Sequence, residues 1–531
     1  MERRSGVLLH PTSIATNGGI GTLGKGAFDF IDWLKKSKQS LWQILPLGPT
    51  GYGDSPYASF SSFAGNPLLI DFDELVKKNW ADKKTCVVPK KLQQNKTVDY
   101  GEVIAWKNSC LENAARFFLL HANQNDKKQF ALFKKQNSFW LKSFSLFMSI
   151  KNFYDAKANR ENVFGVQSIW NFFWEKNLAR FNKTAISNWK KNHADEIERI
   201  NVIQFFFETQ WLAVKNYANE NGISIIGDLP IFVALDSSDV WSNQNLFLFD
   251  KNQKPISVAG VPPDYFSPTG QLWGNPLYDW NAMKKTNYRW WKSRLERTLH
   301  FCDYVRLDHF RGFLSCWAVP FGNKTAVHGS WQKTAGLEFF DAISKKLPLE
   351  KLIAEDLGVI TKDVRALQEK NNFPGMKVLQ FAFDDENFSS DFFPHEFKTA
   401  HCVCYTGTHD NDTLFSFFSA CDTKKKMRIA HYLRGEKKSA RELDAYFKTG
   451  KANDDTIRLA FSSVAEFAIV PLQDILHLGK DARMNTPSTL GENWSWRYEK
   501  KMLNDERAHF LGTLSFLFHR NVNEKTGNFI V

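Results

Sequence analysis

The sequence predicts a closed (β/α)8 TIM barrel with helical and loop insertions around the cleft at the carboxyl ends of its strands; a doubly wound sheet is the rival. Three observations point there. Eight short apolar runs each end in a polar loop, helical patterns separate most of them, and carboxylates stand where several of the runs end. A chain of 531 residues accommodates such a barrel, which needs about 250, and leaves room for large insertions within a single domain spanning 1–531.

The runs are 40–47, ending at Gly48-Pro49-Thr50-Gly51, then 68–70 before Asp71, 223–226 before Gly227-Asp228 and 304–307 before Asp308. They continue with 352–354 before Glu355, 378–383 before Asp384, 403–405 before Gly407 and Asp410, and 467–470 before Pro471. Between them, 338–346 and 361–370 read as helices, the second with Thr361 placed to cap it and Asp363 in its first turn. Strand and helix in alternation imply parallel pairing through right-handed crossovers. The spacing is uneven. Residues 75–201 carry no clear strand, many Lys and Asn, and amphipathic stretches such as 105–120, so they read as a mainly helical insertion. A second insertion, 237–280, is rich in Asn, Pro, Gly and aromatics, and two insertions at one barrel end would wall a cleft.

The 43% hydrophobic and 24% charged fractions exclude a largely disordered chain. No run approaches the roughly 18 apolar residues of a membrane span. The start, with Arg3 and Arg4 before a very short apolar stretch broken by His10 and Pro11, is not a signal peptide, so a cytoplasmic protein without a membrane partner is expected. The seven cysteines are scattered without zinc or redox spacing, and the close pair Cys402 and Cys404 would share one face of a strand. The net charge of +12 comes from lysines interspersed with acids, which reads as a solvated basic surface and not as a nucleic-acid partner. The 18 Trp, 13 Tyr and 47 Phe are mostly core, but those beside Gly, Asn and Asp in loops offer stacking faces for flat ligands such as sugar rings.

In a barrel every strand's carboxyl end opens on the same face, so Asp228, Asp308, Glu355 and Asp410 converge in space. Two converging carboxyls are what glycosyl chemistry requires, one ionised to attack an oxocarbenium-like centre and one protonated to release the leaving oxygen. The same acids could instead cap helices or pair with Arg306 and Arg311, and spacing alone leaves both readings open. Arg306 lies two residues before Asp308, on the same side of a strand, and should hold that carboxyl low. Glu355 follows the apolar Leu352-Ile353-Ala354, a setting that should raise it. His409 beside Asp410 adds a neutral donor for hydroxyls or a structural hydrogen bond. There is no Gly-x-x-x-x-Gly-Lys-Ser/Thr loop, no Gly-x-Gly-x-x-Gly that follows one of the apolar runs, no His-Glu-x-x-His and no serine elbow, so neither a cofactor nor a metal is indicated.

At these same residues the chain closely resembles the 4-α-glucanotransferases (amylomaltases or disproportionating enzymes), relatives of the α-amylases. The resemblance runs almost end to end: RRSGVLLHPTSI from Arg3, WQILPLGPTGYGDSPYASFSSFAGNP from Trp42, GDLPIFVALDSSDVW from Gly227 and AGVPPDYFSPTGQLWGNPLYDW from Ala259. It continues through VRLDHFRGF from Val305, IAEDLGVIT from Ile353, PGMKVLQFAFD from Pro374, GTHDNDT from Gly407, AIVPLQDIL from Ala468, ARMNTP from Ala482 and NWSWR from Asn493. The resemblance implies the barrel and a retaining double displacement on α-1,4-glucans, with maltooligosaccharides as donors and acceptors. It implies Asp308 as nucleophile, Glu355 as general acid/base, and Asp410 as the third acid holding the sugar's hydroxyls. Arg306 and His409 match donor-side contacts, Tyr57 a sugar platform, and Asp228 another cleft acid. Trp273 and Asn275 lie in a loop that folds over the acceptor, where Tyr265 and Phe266 add rings. Leu235 and Pro268 depart from the family pattern. The competing reading is an α-amylase-type hydrolase using the same acids, but the first recognised run, from Trp42, lacks that family's Asp…Asn-His signature. A glucan-binding scaffold would not need all three acids.

Overall fold

The computed structural model describes residues 2–93, 95–263, 267–436 and 438–520. Its strands, in chain order, are Arg4–Leu8 (β1), Leu41–Gln43 (β2), Ser224–Pro230 (β3), Ser257–Val261 (β4), Gln271–Pro276 (β5) and Tyr304–Asp308 (β6). Ser315–Pro320 (β7), Ser330–Lys333 (β8), Leu352–Ala354 (β9), Gly375–Val378 (β10), Cys402–Tyr405 (β11) and Phe467–Pro471 (β12) follow. One sheet of eight strands runs β10–β11–β12–β1–β2–β3–β6–β9, with parallel pairing throughout. Its two ends meet where the Ala354 N–H donates to the Pro374 carbonyl at 2.9 Å, just before β10. The fold is a (β/α)8 barrel, not an open doubly wound sheet.

Period-two alternation places the site. Leu41, Ile226, Ile353, Val378, Val403 and Ile469 pack into one cluster inside the barrel. Their neighbours Trp42, Ile225, Leu352, Cys404 and Val470 belong to the outer clusters beneath the helices. Cys402 and Cys404 accordingly share the outer face. Carried one step further, the inward series runs from Ile226 to Asp228 and from Ile353 to Glu355, with Arg306 and Asp308 closing β6.

Two expected strands are placed differently. Residues 68–70 are no strand: Pro67–Leu69 form a 3₁₀ turn opened by the Asn66 side chain. The carbonyls of Leu68 and Ile70 are satisfied without a sheet, because the buried Lys107 ammonium donates to both at 2.7 Å. The eighth strand is instead β1, central in the sheet between β12 and β2. Its Gly6 allows close approach, since a Cβ there would lie 2.2 Å from the Leu41 carbonyl oxygen. Strand β10 ends at Val378, and Leu379–Ala382 turn into a helix. The expected helices appear as Gly336–Ile343 and Lys362–Lys370. Thr361 stands at the cap of the latter without a side-chain hydrogen bond.

Between β2 and β3 the main elements are helices, including Tyr100–His121, Gln124–Gln136, Ser138–Glu161 and Ala194–Glu220. Strands β4, β5, β7 and β8 build a second, antiparallel sheet in the order β5–β4–β7–β8. Among the described residues no helix is long and apolar enough to cross a membrane.

Candidate active site

At the carboxyl end of β6, Arg306 organises the site. Its Nε and Nη2 donate to the two oxygens of Asp228 at 3.1 and 2.7 Å, and Nη2 also donates to Asp308 at 2.8 Å. The Asp228 side chain is wholly enclosed. Its second oxygen accepts the Tyr57 hydroxyl at 2.6 Å, so Asp228 reaches the cleft through Arg306 and Tyr57. The Tyr57 ring stacks on His409, with centroids 5.2 Å apart and planes 15° off parallel, and Trp494 packs against both.

Glu355, one residue past β9, is joined to the nucleophile candidate by backbone. His309, directly after Asp308, has a left-handed φ of 51°, a conformation uncommon outside glycine. That turn aims its N–H at Glu355 Oε2, 2.7 Å away, while the Leu357 N–H donates to Oε1 at 2.8 Å. The two carboxyls therefore belong to one cleft.

Burial raises Glu355 to about 7, against Arg306 and the two N–H donors. The apolar run before it predicts this direction. Asp308 differs from expectation: burial pushes it well above the usual carboxylate range, Arg306 opposes, and Asp228, Glu355 and Asp410 push upward again. The reason is geometric. Arg306 is shared with Asp228, so its charge is divided between two carboxylates at a buried position. The two acids differ in their hydrogen-bond donors: the Arg306 guanidinium donates to Asp308, and the amides of His309 and Leu357 donate to Glu355.

Asp410 lies on the loop after β11, with its side chain 48% exposed. Asn485 Nδ2 donates to its carboxylate at 2.6 Å, and Arg483 donates to its carbonyl at 2.7 Å. His409 is buried, and burial lowers its pKa, leaving a neutral ring whose Nε2 is 3.4 Å from Asp410.

A family model described as 4-alpha-glucanotransferase matches residues 9–503. The chain belongs to the 4-alpha-glucanotransferase family. A 4-alpha-glucanotransferase of Synechocystis sp. is 43% identical over 98% of this chain and 99% of its own length. One from Thermus thermophilus is 41% identical, over 94% and 95% respectively. The solved amylomaltase from Streptococcus agalactiae in complex with acarbose has a TM-score of 0.89 at 35% identity, covering 98% of this chain and all of that one.

The second sheet carries Trp273 and Asn275 on β5. Trp273 on β5 is 39% exposed and meets His309 edge-on at 4.9 Å, so it stands beside the residue after Asp308. Its indole N–H donates to Gln271 at 3.1 Å. Asn275 is half-buried on the same strand. Tyr265 and Phe266 lie outside the described residues. Leu235 is buried, and its carbonyl accepts the Trp170 indole N–H at 2.8 Å. The sequence gives Asn485, Arg483 and Trp494 no role of their own, although the ARMNTP and NWSWR motifs hold them. A motif marks such residues as family property without showing that they touch Asp410 and Tyr57.

Proposed function

We propose that this chain transfers a segment of an α-1,4-glucan to the 4-hydroxyl of an acceptor glucan or glucose by a retaining double displacement. The observation that carries the reading is the junction of the two acids. The amide following Asp308 donates to Glu355, Arg306 donates to Asp308, and burial raises Glu355 to about 7, so that it can keep a proton near neutrality.

The donor sugar rests on Tyr57, with its hydroxyls at Asp410 and His409. Asp308 attacks the anomeric carbon as the bond to the glycosidic oxygen breaks, and the Glu355 proton passes to that oxygen. The freed chain leaves with a new 4-hydroxyl, and an ester joins the sugar to Asp308. The acceptor's 4-hydroxyl then attacks the same carbon, returns its proton to Glu355 and releases Asp308; two inversions restore the α-linkage. Asp228 is a positioning residue that acts through Arg306 and Tyr57. Trp273 and Asn275 serve the acceptor and limit the access of water.

The reading treats 1–531 as one catalytic domain, cytoplasmic, with 75–201 and 237–280 as insertions around the cleft. Its partners are maltooligosaccharides and α-1,4-glucans, and it needs no cofactor. Incubation with maltotriose tests it: glucose together with longer dextrins is the expected product set, and short sugars alone would mean hydrolysis.

A further inference from the structure

Two exposed indoles stand on opposite edge strands of the second sheet: Trp273 on β5 and Trp331 on β8, the latter 42% exposed. Both rest on the segment directly after Asp308. Trp273 meets His309, and the Arg311 guanidinium lies over the Trp331 ring, 3.8 Å from its centre. The proposed function uses the first and leaves the second without a task.

The Trp331 ring is held in place from two sides. Arg311 covers one face; it is itself only 7% exposed and donates to the carbonyl of Val359, in the loop that follows Glu355. Trp317, directly opposite Trp331 in the β7–β8 register, meets it edge-on at 5.3 Å. Trp317 is tied in turn by its indole N–H to the Ala326 carbonyl at 2.8 Å. The exposure of Trp331 thus belongs to its other face and outer rim, and its indole N–H donates to no described residue. A fixed flat face with a free donor at its edge suits a pyranose ring, whose C–H face stacks while a hydroxyl accepts the N–H. Val359, also exposed, carries apolar surface from this ring toward the Glu355 loop.

Position fixes the ligand's class. Arg311 follows Asp308 by three residues through the 3₁₀ turn Phe310–Phe313, which advances about 2 Å per residue. Trp331 stands one arginine side chain beyond that. That places it next to the cleft's rim, within reach of a chain that continues from the site. We propose that Trp331 is a remote platform for an α-1,4-glucan acceptor, gripping it several glucose units from Asp308; this rests on the transferase reading.

The test is transfer from maltotriose to acceptors of increasing length, from glucose through maltoheptaose to amylose, in the wild type, Trp331→Ala and Trp331→Phe. Trp331→Ala should lose roughly three- to tenfold of the KM advantage of long acceptors over glucose. Trp331→Phe, which keeps a ring face, should recover most of that advantage. A length dependence equal to wild type in Trp331→Ala, or a fall shared equally by every acceptor, overturns the platform. Failure of the wild type to lengthen any acceptor overturns the transferase reading instead.

Discussion

Replacing Asp228 by Asn preserves side-chain volume beneath the cleft and removes one of the two carboxylates that flank Arg306. Three donors converge on the enclosed Asp228 carboxylate: Arg306 Nε at 3.1 Å, Arg306 Nη2 at 2.7 Å and the Tyr57 hydroxyl at 2.6 Å. An amide offers one oxygen in place of two, so a donor loses its partner inside the protein. Breaking a buried charge pair costs about 3–5 kcal/mol. At about 2 cal/mol/K per residue, a chain of 531 residues has an unfolding entropy of about 1 kcal/mol/K, so Tm should fall by about 3–5 °C in calorimetry. A second effect concerns the nucleophile. Asp228 is among the groups that raise Asp308, and its neutralisation leaves Arg306 to Asp308 alone. The acidic limb of the kcat/KM profile should therefore move to lower pH. An Asp228→Asn protein that melts like wild type, or whose acidic limb moves upward, would refute the division of Arg306 between two acids.

Glu355 works protonated with a pKa of about 7, so kcat/KM should decline as pH rises through that value; Glu355→Gln should lose about 10²- to 10⁴-fold in rate together with that limb. Asp410→Asn should lower kcat by about 10²-fold or more with less effect on glucan binding, because its bonds to the ring hydroxyls tighten at the transition state. A rise in KM alone would make Asp410 a binding residue. Trp273→Ala should raise the ratio of hydrolysis to transfer from maltotriose, read as released reducing ends against lengthened chains; an unchanged ratio at lower activity would assign it to packing.

Most of the barrel is legible because strand ends carry a signal that local chemistry enforces: an apolar run stops where a carboxyl must face the cleft. The same rule misleads at 68–70, where Asp71 follows an apolar triplet. Only the fold brings Lys107 to its carbonyls, and Pro67 before it already argues for a turn. Strand β1 is hidden for the opposite reason: its apolar stretch is very short and broken by His10 and Pro11, and what seats it is the close approach to β2 that Gly6 permits. The antiparallel sheet leaves no local mark, as its central pair joins β4 to β7 across the intervening β5 and β6. Arg306 is visible two residues from Asp308, but its bidentate hold on Asp228 is a cross-strand contact. Burial, with Asp228 and the other acids adding to it, outweighs Arg306, so the structure raises Asp308 where the sequence suggests it lowered.

The central claim is that Asp308 carries the glucan between donor and acceptor. The most direct measurement supplies a slow glycosyl fluoride donor without acceptor, digests the protein and locates any adduct by mass spectrometry. The account predicts one glycosyl group on the peptide containing Asp308, discharged when maltose is added as acceptor. An adduct on a peptide lacking Asp308, or release of product with inverted anomeric configuration and no adduct, would contradict it.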